Sequence, residues 1–482
     1  MTTAYLNNPT LLGQRAKVRA TDEQAPQALS NWRPSISLSG SISRSMTTNT
    51  ARTFGGQNQI RTPRGADLNI SQPIYRGGRT FAATREAENT VQAKRARLTE
   101  TEQDVLLATA TAYLNVFRDE VVLKLNINNE QVLKRQLEAT LDRFEVGEFT
   151  RTDVHQAEAR LAGANADRID SEGKLEASRA AYRNVVGQPA PRNLKAPAAP
   201  AGEPETQAEA NKAAALGNPA VLSAKFERKA LLDNVDEFRG ELRPSVSLNF
   251  NLSRDWENTS NTNISREEDI TASVTIPLYQ QGEVFSRLRE AKQDVAEQLQ
   301  AVDQARRDAV EDATRAWESL VTARARVKAF KAQNEANMVA LEGVESEAQV
   351  GSRTVLDVMD AEQEFLDSRV AHVSAQRDEL VAVFELKAAM GQLTAKELKL
   401  PVKAYDPDDH YRKVRDKWFG GSPGGANSMS GVRERLKIRR LDKERMRNLA
   451  GVSLAGIIPF INVFWGSVAT RANAQTSQMD VS

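Results

Sequence analysis

The chain states one pattern twice at a fixed offset, so its fold must be built from two like halves. Pro73-Ile74-Tyr75 with Gly78 returns as Pro277-Leu278-Tyr279 with Gly282. Val146-Gly147 returns as Val350-Gly351, Asp153-Val154 as Asp357-Val358, Ala157-Glu158 as Ala361-Glu362 and Gly187-Gln188 as Gly391-Gln392, each 204 residues on. Upstream, Asn8-Pro9 matches Asn218-Pro219 and Arg33-Pro34-Ser35 matches Arg243-Pro244-Ser245, now 210 apart. The six-residue difference is confined to residues 44–66 and their counterpart, which is one loop. Units of this size are far longer than a solenoid repeat and predict a duplicated domain with its halves side by side. The first repeat covers 1–187, a Pro/Ala-rich connector 188–205, the second repeat 206–391 and a tail 392–428.

Charge and cysteine usage then remove several classes of function. A net charge of +1 offers no strong attraction to nucleic acid. The absence of cysteine excludes a disulfide scaffold, a thiolate metal site and a lipid-modified cysteine. At 40% apolar residues, the body of the chain contains no stretch long enough to cross a bilayer as a helix. Any membrane insertion must therefore use strands.

Each repeat contains two candidate strands, over about 35–46 and 66–75 and over about 245–253 and 270–279. From Ser35 to Ser43 every odd position is serine, while Ile36, Leu38, Gly40 and Ile42 fill the even ones. The other three alternate in the same way, as Val246, Leu248, Phe250 and Leu252 do against Ser247, Asn249 and Asn251. Each is close to the roughly 9–11 residues of a transmembrane β-strand, with the dyad pattern of lipid-facing and lumen-facing residues. A soluble sandwich would show the same alternation. The small polar faces and the helical connections favour the membrane reading. Four strands cannot close a barrel in lipid, and an open edge would leave backbone groups unpaired, so such a chain must oligomerise. Two copies would give a barrel packed solid, three a water-holding lumen, and the Ser/Thr/Asn face favours three.

Between the strand pairs lies very long helical sequence. Residues 79–146 contain neither proline nor glycine, which predicts a helix on the order of 100 Å long, with a counterpart over 282–349. Leu107, Ala110, Leu114, Phe117 and Val121 recur at spacings of three and four, as do Ala313, Ala316, Leu320, Ala323, Val327 and Phe330. That is coiled-coil seam spacing, and a solid antiparallel bundle shares it. Glycine turns at Gly147 and Gly351 end the long helices, and return helices follow over 150–187 and 352–391. These turns are the far tips of helical rods.

The paired Asn-Pro helices, the Arg-Pro-Ser strand starts, the Pro-[Ile/Leu]-Tyr strand exits and the run Val350-Gly351-Ser352-Arg353-Thr354-Val355-Leu356-Asp357-Val358-Met359-Asp360-Ala361 resemble the TolC family of outer-membrane channel proteins. The resemblance covers nearly all of residues 1–418. It implies an α+β membrane protein, a homotrimer with a twelve-stranded outer-membrane barrel continued by a periplasmic α-helical tunnel. It also implies an exit duct for type I secretion or multidrug efflux, with no catalysis of its own. The implied partners are outer-membrane lipid, a periplasmic adaptor (membrane fusion) protein and an inner-membrane transporter of ABC, RND or similar type. A periplasmic coiled-coil adaptor or scaffold is the alternative, and the four Ser/Thr-lined strands count against it.

By resemblance, Asp357 and Asp360 are constriction rings at the channel tip. Three residues apart near a helix start, they share a face, so three chains would gather six carboxylates there. Asp153 matches the family's first-repeat gate aspartate and Arg353 its gate arginine, which together would tie the tips shut. The sequence departs from the family at Ala348, where a gate tyrosine is expected. A plainer reading of Asp153 and Asp357 is first-turn capping from Thr150 and Thr354. No cofactor or metal is expected, because His155, His372 and His410 are far apart and have no cysteine to join them. Asp408-Asp409-His410 reads as a solvated turn, and Gly420–Gly425 as a flexible linker.

The chain begins inside the first helix with no signal peptide. At the other end, residues 429–482 carry Arg445 and Arg447, an apolar run from Leu449 to Val468, and a small-residue cleavage pattern with Ala472 and Ala474. This segment reads as a displaced signal peptide, with the residue order rotated relative to the gene product. A C-terminal anchor of about 20 residues is the alternative.

Overall fold

The computed structural model of the chain describes residues 1–48, 58–191, 194–195, 200, 202–258 and 262–421. The segments read above as a signal peptide and its cleavage pattern lie outside the described residues. One compact unit spans Met1–Arg415. It is built from short helices α1 (Thr2–Asn7), α2 (Pro9–Asp22) and α3 (Gln24–Ser30), followed by strands β1 (Ser35–Ile42), β2 (Ser45–Thr48), β3 (Asn58–Arg61) and β4 (Arg64–Arg76). Long helix α4 (Arg79–Glu145) and return helix α5 (Arg151–Val186) complete the first half. The second half repeats the order as α6 (Gln207–Gly217), α7 (Pro219–Gly240), β5 (Ser245–Trp256), β6 (Ile264–Thr275), α8 (Glu283–Gln349) and α9 (Val355–Ala389), with α10 (Pro407–Val414) after it.

The two hairpins join into one antiparallel sheet of order β1-β4-β5-β6. Its register carries the alternation across all four strands: Ile36, Ile70, Phe250 and Ile270 form one apolar row. The neighbouring row on the other face is Ser35, Ser71, Asn249 and Thr271, where the Ser71 hydroxyl donates to Asn249 Oδ1 at 2.7 Å. The first hairpin carries an extra ladder, β2 with β3, at the place where the repeats differ in length. The fourth strand occupies 264–275 rather than about 270–279. Arg266–Asp269 belongs to the ladder, and the backbone leaves the sheet before Pro277, which has no N–H to give it. The longer strands add Asp255, Glu267 and Asp269 to the polar face, where Asp67 already stands among small hydroxylated residues.

Helices α4 and α8 each run 67 residues, about 100 Å, as expected where nothing breaks the ladder. Midway along α4, Leu106, Ala110 and Leu114 face Val381 and Phe384 of α9, while Leu98, Val105, Ala112 and Val116 face α2 and α5. The spacing predicts one seam and the structure has two, because α4 is sandwiched between its own half and the other. Leu107 joins the seam with α9 half-buried, and Phe117 and Val121 are half-buried as well. On α8, Ala313, Ala316 and Leu320 face α6 and α9, and Ala323 is also buried, whereas Val327 and Phe330 are half-buried.

The repeated Asn-Pro pair stacks one helix on another. Asn8 caps α2 by accepting from Thr10 N at 2.9 Å, and its Nδ2 donates to Val185 O near the end of α5 at 2.9 Å. Asn218 caps α7 in the same way, and its Nδ2 donates to Ala389 O of α9 at 3.1 Å. Gly391 is required beside this second joint: at φ +78° its missing Cβ would lie 2.3 Å from Gly217 O. Among the described residues, no helix is long and apolar enough to cross a membrane.

Candidate functional site

The candidate site is the pair of helical tips. Val146 and Val350 end the long helices, and Gly147 (φ 81°) and Gly351 (φ 80°) take the left-handed conformation that closes them. Gly147 N donates to Phe144 O at 3.0 Å and Glu148 N to Arg143 O at 2.9 Å, with Gly351 and Ser352 repeating both bonds to Ala348 and Glu347. This is the Schellman closure, and it explains why both repeats need glycine there.

A second device starts each return helix. Thr150 N donates to Asp153 Oδ2 at 2.8 Å while Asp153 N donates to Thr150 Oγ1 at 3.4 Å. Thr354 and Asp357 make the same capping box at 2.9 and 3.2 Å. The backbone N–H of Thr150 or Thr354 bonds the carboxylate and holds each aspartate below its ordinary range. Both are half-buried at the surface, and the lowered pKa keeps both negatively charged near the tip.

Asp360 lies one turn further on and has a different partner. Arg160 of α5 donates to Asp360 Oδ1, linking the return helices of the two halves. Beneath this pair, Met359 is buried against Leu133, Ala157 and Ala164. Arg353 Nε donates to Glu347 Oε2 at 2.8 Å, a bond that raises the guanidinium pKa further. Among the described residues no ion pair joins Arg353 to Asp153 within one chain. The sequence singled out Asp153, Arg353, Asp357 and Asp360 but not Arg160, whose partner lies 200 residues away with no local pattern to reveal it.

The histidines fall in three separate places. His155 meets Glu158 and His372 meets Gln376, while His410 Nδ1 lies 3.0 Å from Asp22 Oδ2. The Asp408–His410 turn is therefore docked rather than solvated, with Arg95 pairing to Asp408 as well. Among the described residues no cluster of three or more His, Asp or Glu is placed to hold a metal.

This architecture is that of an outer-membrane channel protomer. The chain matches the family described as outer membrane efflux protein over residues 2–188 and 211–392, and it belongs to that family. It is 33% identical to the outer membrane efflux protein BepC of Brucella suis biovar 1, across 86% of this chain and 90% of BepC. It is 28% identical to the outer membrane protein TolC of Vibrio cholerae, across 81% of this chain and 90% of that protein. The Campylobacter jejuni outer membrane channel CmeC shares the fold with a TM-score of 0.71 at 18% identity, over 86% of this chain and 88% of CmeC.

Proposed function

We propose that three copies of this chain close one outer-membrane β-barrel and continue it as a helical tunnel, forming an exit duct for efflux or type I secretion. The observation that carries this reading is the open sheet. Strands β1 and β6 each pair on one side only, and an unpaired edge in lipid leaves backbone groups unsatisfied at several kcal/mol each. Pairing β1 of one copy with β6 of the next removes every edge. Three copies give twelve strands, enough for a water-filled lumen lined by the Ser/Thr/Asn rows.

The tips form the gate in this reading. Asp357 supplies a ring of carboxylates, each held by its own capping box, Asp360 a second ring shared with Arg160, and Asp153 and Arg353 the contacts available between neighbouring copies. The helical tips meet a periplasmic adaptor, and an inner-membrane transporter delivers the cargo, as befits relatives named for efflux and protease secretion. The duct moves cargo without chemistry, so no residue is assigned a catalytic role.

A soluble adaptor built on the same helices is the competing reading. Ile36, Leu38, Ile270 and Val274 are 64, 78, 66 and 63% exposed on one sheet face, which suits lipid and not water. The test is single-channel conductance of detergent-purified protein in a planar bilayer, with its mass in detergent measured alongside. A trimer with small cation-selective conductance is expected. A monomer or dimer without conductance would return the chain to the adaptor class.

A further inference from the structure

A cavity of about 240 Å³ lies in the helical body, between α2, α4, α7 and the segment around Tyr405, far in sequence from the tips. Arg15 on its wall is 7% exposed, and among the described residues it makes no hydrogen bond or ion pair. Its guanidinium carbon lies over the rings of Tyr5 and Tyr405, at 4.4 and 5.1 Å from their centroids, contacts that leave its N–H groups without an acceptor. Buried arginine is ordinarily paired, because a lone charge away from water is costly.

Two further donors on the same wall are also buried without a partner. Arg95 uses its terminal nitrogens on Asp408 and Asp22, which leaves Nε unbonded, and the Tyr405 hydroxyl has no partner. The one carboxylate in the lining, Glu102, accepts the backbone N–H of Ala395 at 2.7 Å and lies beyond ion-pair distance of Arg15. Burial also pushes the Glu102 carboxyl upward, which weakens it as a counter-ion. Leu98, Leu222 and Phe226 give the wall an apolar part, with Gln92 and Thr99 beside it.

We propose that this cavity binds a small organic anion, whose carboxylate meets Arg15, Arg95 Nε and the Tyr405 hydroxyl and whose apolar body lies on Leu98, Leu222 and Phe226. Three unpartnered donors beside an apolar wall match an acceptor head joined to an apolar tail. The volume is that of roughly eight waters, at about 30 Å³ each, and admits a single-ring carboxylate. Because Tyr405 precedes α10, an occupant would also brace the segment that lies across both halves.

Equilibrium dialysis of labelled benzoate against the full-length protein in neutral detergent tests this, with benzylammonium as a cation of the same shape. Saturable uptake of one benzoate per chain is expected, together with a rise in Tm and no uptake of benzylammonium. Tyr405→Phe, which removes only the hydroxyl, should weaken binding about tenfold. Arg15→Gln should abolish it, and Leu222→Trp, which fills the cavity, should abolish it without touching the donors. Absence of saturable benzoate uptake by the wild type, equal uptake of the cation, or unchanged affinity in Tyr405→Phe and Leu222→Trp would overturn the assignment.

Discussion

Arg160 of the first return helix pairs with Asp360 of the second, and this bond marks where the two halves of the chain meet near their tips. Met359, 3% exposed, anchors the same place by entering the core of the first half, so Asp360 is presented by a fixed backbone. The two carboxylates read from sequence as equivalent rings are therefore unlike. Asp357 is tied only to its own helix start, whereas Asp360 reports the relative position of the two return helices.

Removing Arg160 frees the Asp360 carboxylate. Arg160→Ala should tighten block by a trivalent cation in bilayer recordings by roughly two- to fivefold, the range of an exposed ion pair. Thermal stability should barely change, since the two side chains are 40 and 54% exposed. Weaker block in this variant would place Asp360 off the conduction path.

Neutralising both acids should do the opposite. Asp357→Ala would also break the capping box with Thr354, so the cleaner change is Asp357→Asn with Asp360→Asn, which keeps an acceptor for Thr354 N. Three chains lose six carboxylates, and trivalent-cation block should weaken at least about tenfold. Unchanged block would remove the ring role from both residues.

The duplication, the dyad strands and the glycine tips are legible in the sequence because each is set by local chemistry. Proline and glycine fix backbone angles, serine alternates with isoleucine, and Thr150 and Thr354 find their aspartates three residues on. Other features have no such local mark. The second seam of α4 follows from being packed on two sides, and Leu98, Val105, Ala112 and Val116 blur the spacing of Leu106, Ala110 and Leu114. Asp22 meets His410 across 388 residues, and Arg95 joins them from a third element, so the docked α10 was hidden. Strand β6 reaches back to Ile264 through a charged run that reads in the sequence as a turn: Glu267 and Asp269 join the polar face, while Arg266 and Glu268, on the face of Ile270, pair with each other.

The capping boxes set a pH window for the tips. The carboxyls of Asp153 and Asp357 are depressed in the folded state, so their contribution is full above the ordinary aspartate pKa of about 3.9 and is lost as pH falls through the lower folded values. Amide protection at Thr150 and Thr354, whose N–H groups bond these carboxylates, should be flat from about pH 5 to 8 and should fall, relative to intrinsic exchange rates, below about pH 4. Asp153→Ala should abolish the protection at Thr150 at every pH while leaving Thr354 unchanged.

Asn8 performs two tasks at one joint. Its oxygen caps α2, and its Nδ2 bonds Val185 O at the end of α5, with the residue 8% exposed. Asn8→Ala should cost about 1–3 kcal/mol in thermal or denaturant unfolding of the assembled protein. Asn8→Asp is the sharper test: aspartate is an equally good cap but cannot donate, and it brings a negative charge to the negative end of α5. It should destabilise nearly as much as alanine. A wild-type melting curve for Asn8→Asp would reduce the motif to helix capping alone.

Ile270 and Thr271 are neighbours on β6 with opposite surroundings. Ile270 stands in the row with Ile36, Ile70 and Phe250, and Thr271 in the row with Ser35, Ser71 and Asn249. If the first row faces lipid, Ile270→Lys places a charge in the hydrocarbon at about 2–4 kcal/mol per chain, roughly threefold that in a trimer. Little trimer should reach the outer membrane fraction. Thr271→Lys points into the water-filled lumen, so the trimer should form normally and its cation selectivity should fall. The two variants differ by one position and by nothing in charge or size, so equal assembly of both would show that this sheet does not separate lipid from water.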